Sequence, residues 1–110
     1  NIFTPHTTTA ILINESETGY INDFKRKIEE LISSDSYYEH DDWEVRTENM
    51  QEDENVNGRS HVRGSIVGTT AITLPIVDGE ILLGRWQRIF FVELDCSRSR
   101  RLFVQTNDIS

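Results

Sequence analysis

Residues 71–83 read Ala71-Ile72-Thr73-Leu74-Pro75-Ile76-Val77-Asp78-Gly79-Glu80-Ile81-Leu82-Leu83, two apolar runs joined by an Asp-Gly pair. An Asp-Gly pair between apolar runs is typical of a β-hairpin, because both residues tolerate the left-handed backbone of a tight turn. Pro75 has no N–H to donate to a strand ladder, so we expect it at a sheet edge or a bulge. This stretch predicts antiparallel strands in the last third of the chain.

Other segments favour further strands. Residues 7–13 are rich in β-branched side chains, and residues 85–94 and 101–105 are also largely apolar. Gly84 precedes the second of these segments and predicts a bend or a close backbone approach there. The chain is therefore expected to begin with a strand and to end in a β-meander.

Two helices are predicted between these strands. The firmer one covers residues 20–33, where apolar side chains recur at intervals of three and four and charged side chains occupy the remaining positions. Ser16 or Thr18 is placed to cap its start. Residues 60–67 are ambiguous, since their apolar spacing suits a short helix but Gly64 costs a helix about 1 kcal/mol relative to alanine.

The order of strand, helix, mixed middle and β-meander predicts an α+β fold. A chain of 110 residues supports one packed core, so we expect a single domain over residues 1–110. Residues 44–57 form a long acidic connection that is either a functional loop or a solvated surface segment. The chain starts within a predicted strand and without a methionine, so we expect that an N-terminal segment is missing and that the sheet lacks part of itself.

Composition excludes several classes of function. The net charge of −8 argues against nucleic-acid binding, which needs a basic surface to neutralise phosphates. No apolar run is long enough to cross a bilayer, and no signal segment is present in this sequence. A single cysteine, Cys96, excludes an internal disulfide and is expected to be an inert thiol. We therefore expect a cytoplasmic protein that does not contact membranes.

The 3 histidines of the chain are the candidate functional residues, because each lies in a polar cluster. His6 precedes the first strand, His40 is followed by Asp41-Asp42, and His61 follows the Asn57-Gly58 turn. Histidine is the commonest metal ligand and titrates near neutral pH, so the clusters could form a metal site or an acid–base site. Their spacing matches no local zinc motif. Separate surface or capping histidines are the alternative.

Other polar residues have two interpretations as well. Asp41 or Asp42 either orients an imidazole or caps nearby backbone. Arg98, Arg100 and Arg101 either bind an anion such as phosphate or neutralise carboxylates of this chain or of a neighbouring subunit. Trp86 is expected in the core rather than at a ligand.

Several short motifs occur in one order along almost the whole chain. They are Pro5-His6-Thr7-Thr8, Ile13-Asn14-Glu15, Tyr38-Glu39-His40-Asp41-Asp42, Asn57-Gly58 with His61, Gly68, Leu74-Pro75 with Asp78-Gly79, Leu83-Gly84 with Trp86-Gln87, and Glu93 before Arg100-Arg101. Together, from about Phe3 to Gln105, they resemble the YjbQ family, small proteins sometimes labelled secondary thiamine-phosphate synthases. Members of that family carry a further strand-bearing segment before the Pro-His-Thr-Thr motif.

The resemblance implies a β-sandwich-like body of mixed or antiparallel sheets with one long amphipathic helix and one short helix, assembled as a homotrimer. It also implies that the three histidines converge near a subunit boundary. From the chemistry of imidazole, our hypothesis is that they hold a divalent metal there, with zinc the natural candidate. The implied catalytic residues are His6, His40, His61, Asp41 and Glu15. The implied substrate-binding residues are Asn14, Asn57, Trp86, Gln87, Arg100 and Arg101.

This chain departs from the family pattern beside two of its histidines. Asp41-Asp42 follows His40 where many relatives have Asn-Asp, and Arg59-Ser60 precedes His61 where a small apolar residue is usual. Both departures leave the histidines in place and change the hydrogen-bonding groups around them.

Three functions stay open at this point. The family label implies a synthase that joins a pyrimidine pyrophosphate to a thiazole phosphate and releases pyrophosphate. A histidine-bound metal with an open coordination position would instead favour hydrolysis of a small phosphorylated or carbonyl metabolite. The non-enzymatic alternative is a trimeric ligand-binding or assembly protein whose histidines connect subunits.

Overall fold

The computed structural model describes residues 1–108, so residues 109 and 110 of the predicted domain lie outside it. These residues form two α-helices, a short 3-10 turn and seven strands. The helices are α1 (Thr18–Leu31) and α2 (Gly58–Val67), and the 3-10 turn is Glu39–Asp41. The strands are β1 (Ile2–Phe3), β2 (Thr9–Glu15), β3 (Ala71–Ile72), β4 (Ile76–Val77), β5 (Glu80–Ile81), β6 (Gln87–Glu93) and β7 (Phe103–Val104).

All strand pairs are antiparallel, and the longest pair is the ribbon of β2 and β6. Its register runs from Thr9 opposite Glu93 to Glu15 opposite Gln87. A second sheet has β1 between β3 and β7, and β4 pairs with β5. With two helices added to these sheets, the predicted α+β class is confirmed.

The hairpin predicted from the Asp-Gly pair is also confirmed. Val77 pairs with Glu80, and the two residues between them have positive φ angles, 52° at Asp78 and 78° at Gly79. Positive φ angles at both positions are typical of the tight hairpin turn whose backbone twist matches the right-handed twist of the paired strands. Residues 71–77 do not form one strand, however. The break between β3 and β4 covers residues 73–75 and includes Pro75, whose carbonyl oxygen accepts from Leu82 N but which has no N–H to donate to a ladder.

Helix α1 begins earlier than predicted, and its cap differs from the expectation. The carboxylate of Glu17 accepts hydrogen bonds from the backbone N–H of Gly19 and of Tyr20. Neither Ser16 nor Thr18 caps the helix, so that expectation was wrong. A side-chain carboxylate can accept hydrogen bonds from these amide groups, just as a hydroxyl can. Its negative charge also interacts favourably with the positive end of the helix dipole.

The ambiguous segment 60–67 belongs to α2, and the connection 44–57 contains no helix or strand. Helix α2 forms although it contains Gly64, and glycine is a poor helix former. A Cβ at this position would lie 3.4 Å from the carbonyl oxygen of Thr7 and 3.6 Å from Cδ1 of Leu94. Both are ordinary van der Waals distances, so the packing of α2 against the entry of β2 leaves room for a Cβ and does not require glycine at this position.

The core lies where the start of β2, the end of β6 and α2 meet. Ala10, Ile11 and Leu94 are buried there beside polar side chains. Ser60, fully buried, donates from Oγ to the carbonyl oxygen of Leu94 at 2.5 Å. This hydrogen bond satisfies the buried hydroxyl and joins α2 to the residue that follows β6.

Within residues 1–108, neither helix has the length and apolar character needed to span a bilayer.

Candidate functional site

The fold brings His40 and His61 into contact although 20 other residues separate them in the sequence. His40 lies in the 3-10 turn, and His61 lies in the first half of α2. Their ring centroids are 4.3 Å apart, with the ring planes inclined by 55°. Two imidazoles at this separation interact directly, so the protonation of one affects the other.

Asp41 is the reason the two histidines meet. Its Oδ1 accepts hydrogen bonds from the backbone N–H of Asn57 and of Gly58, both at 3.0 Å. A carboxylate that accepts the first amide groups of a helix is favourable because of the helix dipole. Asp41 therefore anchors the start of α2 to the 3-10 turn. Of its two expected roles, this is the one in which the carboxylate caps nearby backbone.

A polar cavity of about 590 Å³ adjoins the histidine pair. Much of its wall comes from the connection 44–57, and most of its side chains are amides, hydroxyls or charged groups. The residues that line it are Thr7, Thr8, His40, Arg46, Asn49, Gln51, Asp53, Glu54, Asn55, Asn57, His61 and Arg98. Its volume is in the range of about 300–1,000 Å³ that small-molecule sites usually have.

Arg46 organises the loop part of this wall. Its guanidinium donates to Glu54 Oε1 at 2.8 Å, to the carbonyl oxygen of His40 at 3.0 Å and to the carbonyl oxygen of Asn49 at 2.5 Å. The hydrogen bond from Arg46 is the main reason that the pKa of Glu54 lies below its usual range. Glu54 is therefore ionised at neutral pH, and it faces His40.

His40 carries an unpaired nitrogen beside that carboxylate. Its Nε2 lies 3.4 Å from Glu54 Oε1, near enough for an ion pair when the ring is protonated. The same nitrogen is buried and makes no hydrogen bond in the described residues, because this approach lacks hydrogen-bond geometry. The contact is therefore an ion pair only when the ring is protonated. Nε2 of His40 is thus a buried atom without a hydrogen-bond partner among residues 1–108, and Glu54 is the group placed to pair with it when the ring is protonated.

Asn57 is the second residue with an available buried atom. Its residue surface is 8% exposed, its Nδ2 donates to Asp95 Oδ2 at 2.9 Å, and its Oδ1 has no partner among the described residues. A buried polar atom without a partner costs about 1–3 kcal/mol, so such atoms often mark a ligand or water position.

The pKa of His61 lies below the usual 6.5, chiefly because burial disfavours the imidazolium, and the charge of His40 adds to the effect. Asp95 and Glu54 act in the opposite direction but do not offset burial. His61 is therefore a neutral imidazole near neutral pH and can accept a proton.

His6 takes part in a different contact. Its Nε2 accepts a hydrogen bond from the backbone N–H of Arg101 at 2.9 Å, and it is not part of the wall of the histidine cavity. Within this chain the structure thus brings together two of the three predicted histidines, His40 and His61. His6 lies before β2 and is not part of this pair.

Arg98 and Arg100 neutralise carboxylates of this chain. Arg100 forms a two-pronged ion pair with Glu93, at 2.8 and 2.5 Å, and also donates to Thr8 Oγ1. Arg98 pairs with Asp95 at 2.9 Å and is the arginine of this group that reaches the cavity wall. No side-chain ion pair of Arg101 occurs among residues 1–108.

The remaining predicted site residues lie at the other end of the β2–β6 ribbon. Asn14, Glu15, Trp86 and Gln87 surround a separate cavity of about 440 Å³. The two ends of β2 are about 20 Å apart, from roughly 3.4 Å per residue. Trp86 is 60% exposed, so its expected place in the core was wrong, and the guanidinium of Arg85 lies 4.6 Å from its ring centroid.

The donors within one chain do not complete a metal centre of the expected kind. Among residues 1–108, no three His, Cys, Asp or Glu side chains are grouped closely enough to hold an ion. A catalytic zinc site needs three protein ligands and an open position. His40 and His61 supply two imidazoles, and the nearest carboxylate, Glu54, is already bound by Arg46.

Sequence reasoning missed Arg46 and Glu54, although both contribute to the site. The available signal was the position of Arg46, the only basic residue in the acidic segment 44–57. A single cation among carboxylates is expected to bind several of them and to fold the segment around itself.

The chain is similar to several UPF0047 proteins. A UPF0047 protein of Archaeoglobus fulgidus is 36% identical over 94% of this chain and 73% of its own length. A UPF0047 protein of Methanothermobacter thermautotrophicus is 36% identical over 94% of this chain and 64% of its own length. The chain therefore spans about two thirds to three quarters of these relatives.

Solved structures give the same result. A YbjQ-like protein of unknown function from Sulfolobus solfataricus P2 matches with a TM-score of 0.73 and 32% identity, over 92% of this chain and 64% of that one. An uncharacterised protein of the YjbQ/UPF0047 family from Clostridium acetobutylicum matches with a TM-score of 0.76 and 28% identity, over 94% of this chain and 70% of that one. The family model described as UPF0047 protein YjbQ-like matches residues 1–108, and the chain therefore belongs to the YjbQ family.

Proposed function

We propose that the histidine cavity binds a small phosphorylated metabolite and that His40 and His61 move a proton on it. The observation that carries this proposal is the direct contact of two imidazoles, 4.3 Å apart, at the wall of a polar cavity. Isolated surface histidines have no reason to pair, because two imidazolium ions would repel each other.

The two imidazoles have different surroundings and therefore different roles. His61 is kept neutral by burial, which suits a general base. His40 has an ionised carboxylate, Glu54, at 3.4 Å from its Nε2, and this carboxylate would stabilise an imidazolium there. We therefore assign the general-acid role to His40 and the general-base role to His61.

The rest of the cavity would orient the substrate. The unpaired Oδ1 of Asn57 accepts a hydrogen bond from a substrate N–H or O–H, and the amides of Asn49, Gln51 and Asn55 add further polar partners. Arg98 supplies positive charge at the wall for a phosphate, although it shares that charge with Asp95.

The first reaction to test is the thiamine-phosphate synthase reaction that the family resemblance implies. Purified protein is incubated with a pyrimidine pyrophosphate and a thiazole phosphate, and separately with a panel of phosphorylated metabolites, and products are followed by phosphorus NMR. We expect turnover that is lost in His40→Ala and in His61→Ala and kept in Lys27→Ala, an exposed substitution on α1. Equal turnover in wild type and His40→Ala would remove the histidine pair from the mechanism.

A second candidate is a metal-dependent hydrolase whose site is shared between copies of the chain. It is favoured by one observation, namely that one chain contributes two imidazoles to the cavity while His6 lies outside it. In a homotrimer, His6 of one copy could join the pair of another copy and complete a three-imidazole site, for which zinc is the natural ion. The bound ion would supply Lewis-acid activation of water.

Metal content distinguishes the two candidates. If the site is shared, purified protein carries about one divalent ion per chain, and His6→Ala loses both the ion and the trimer-dependent activity while Lys27→Ala keeps them. If proton transfer by the pair alone is correct, chelation and His6→Ala leave activity unchanged. Saturable ligand binding without any product would favour the non-enzymatic ligand-binding protein.

A further inference from the structure

A second cavity lies between helix α1 and one face of the β2–β6 ribbon, and we call it the helix slot. Its volume is about 410 Å³, and no residue of α1 is fully buried. Most of its wall is apolar, with Leu12, Ile21, Phe24, Ile28, Phe90 and Val92 as the main contributors. An amphipathic helix usually buries its apolar stripe, so a slot along that stripe is unused binding surface.

The helix slot is separate from the histidine cavity. The two cavities have no wall residue in common within residues 1–108. Since the proposed proton transfer involves none of the slot's residues, the slot calls for an explanation of its own.

Charge at the rim of the slot is not balanced. Its two carboxylates are already bound, Glu93 by Arg100 and Asp95 by Arg98. Arg63 is likewise bound, by Glu29 and by the carbonyl oxygen of Ile32.

Lys25 and Arg59, in contrast, form no ion pair within the described part of the chain. The one hydrogen bond of the Arg59 guanidinium there goes to the carbonyl oxygen of Val56, at 2.7 Å. Two cations at the rim of an apolar slot therefore remain available to an anion, in a protein whose net charge is −8.

We propose that the helix slot binds a small amphiphilic anion, an aromatic body with one sulfonate or carboxylate group. The aromatic body lies among Tyr20, Phe24 and Phe90, whose rings already meet at an angle, with 6.4 Å between the centroids of Tyr20 and Phe90. The anionic group lies at the rim near Lys25 and Arg59. An apolar wall gives affinity, and a few charged groups fix the orientation of the ligand.

The test uses the whole chain and the probe anilinonaphthalene sulfonate, which is an aromatic anion with fluorescence that rises in apolar sites. We expect saturable binding at one site, weakened about tenfold in the double variant Lys25→Ala, Arg59→Ala, because a hydrogen bond to a charged group is lost. Arg26→Ala is the matched control, since Arg26 lies on the same helix, is paired with Asp23 and is not part of the slot. It should bind the probe as the wild type does.

A second measurement fixes the location and does not depend on the charge variants. Binding of the probe should shift the NMR signals of Tyr20, Phe24 and Phe90 and leave those of His40 and His61 unchanged. The neutral analogue phenylnaphthylamine should bind equally to wild type and double variant, which would assign the loss to charge. Probe affinity that is equal in wild type and double variant, or shifts confined to the histidine cavity, would overturn the proposal.

Discussion

Asp41 shows how a single side chain can assemble a site without reacting in it. Its carboxylate holds the backbone of Asn57 and Gly58, and this contact places His61 against His40. Asp41 is part-buried in the turn that it anchors. The chemistry of the site therefore depends on a residue whose own lone pairs point at backbone rather than at substrate.

Replacement of Asp41 should destabilise the protein and separate the histidines. In Asp41→Ala two backbone N–H groups lose their acceptor, and we expect the free energy of unfolding to fall by about 2–3 kcal/mol, as for part-buried donors left unsatisfied. Urea unfolding measures this change. Asp35→Ala is the control, since Asp35 is exposed, and it should stay within about 0.5 kcal/mol of wild type. A loss no larger than that of the control would contradict the anchoring role.

The lowered pKa of His61 predicts how stability depends on pH. The unfolded chain binds a proton at His61 near pH 6.5, whereas the folded chain binds it only at lower pH. The unfolded state therefore holds more protons in this window, and stability falls as pH decreases through it. His61→Asn should reduce the loss of stability between about pH 7.5 and pH 5.5. Identical pH profiles for wild type and variant, measured by urea unfolding, would argue against this account.

The residues of the site were predictable in part. The sequence indicated His40, His61 and Asn57 because polar clusters next to turns are recognisable without coordinates. It could not indicate that Arg46 and Glu54 meet His40, since the connection 44–57 has no periodicity from which contacts follow. The shared site of His6, His40 and His61 stays a prediction for an assembly of chains.

At the scale of elements, local chemistry determined which predictions succeeded. The Asp78-Gly79 turn was predictable because only residues that tolerate positive φ fit it. Helix α2 was ambiguous because Gly64 disfavours a helix, and the contacts that hold the segment in place, such as Ser60 with the carbonyl oxygen of Leu94, are tertiary. The cap of α1 was missed because a Glu can replace the more frequent Ser or Thr when its carboxylate reaches two amide groups.

The cap gives a direct test with internal controls. Glu17→Ala removes the acceptor for the N–H groups of Gly19 and Tyr20, and we expect a loss of about 1 kcal/mol in the free energy of unfolding. Ser16→Ala and Thr18→Ala should change it by less than about 0.5 kcal/mol, as for surface sites without such contacts. Urea unfolding of the three variants decides the matter, and a larger effect at Ser16 or Thr18 would assign the cap to a hydroxyl.

The whole molecule is more extended than a chain of its length usually is. Its radius of gyration is 16.7 Å, whereas a compact domain of this length has about 13 Å. Four apolar residues among positions 1–108 are buried, and many large apolar side chains are exposed. Phe103 and Val104 of β7 are 52% and 69% exposed, on the sheet whose central strand is β1. Such surfaces are typical of contacts between chains.

We predict that copies of the chain cover this surface by forming a homotrimer. Closed symmetric assemblies are the usual way for identical chains to bury apolar surface, and a trimer would also bring the end of one β2–β6 ribbon near a neighbour. Sedimentation at micromolar concentration should give three times the chain mass. Val104→Asp should give the monomer, because a charge at a buried interface is costly. Val56→Asp, at a position that is also 69% exposed but lies in the polar connection, should remain trimeric. A monomeric wild type would remove both the trimer and the shared histidine site, and would leave proton transfer by His40 and His61 as the function to test.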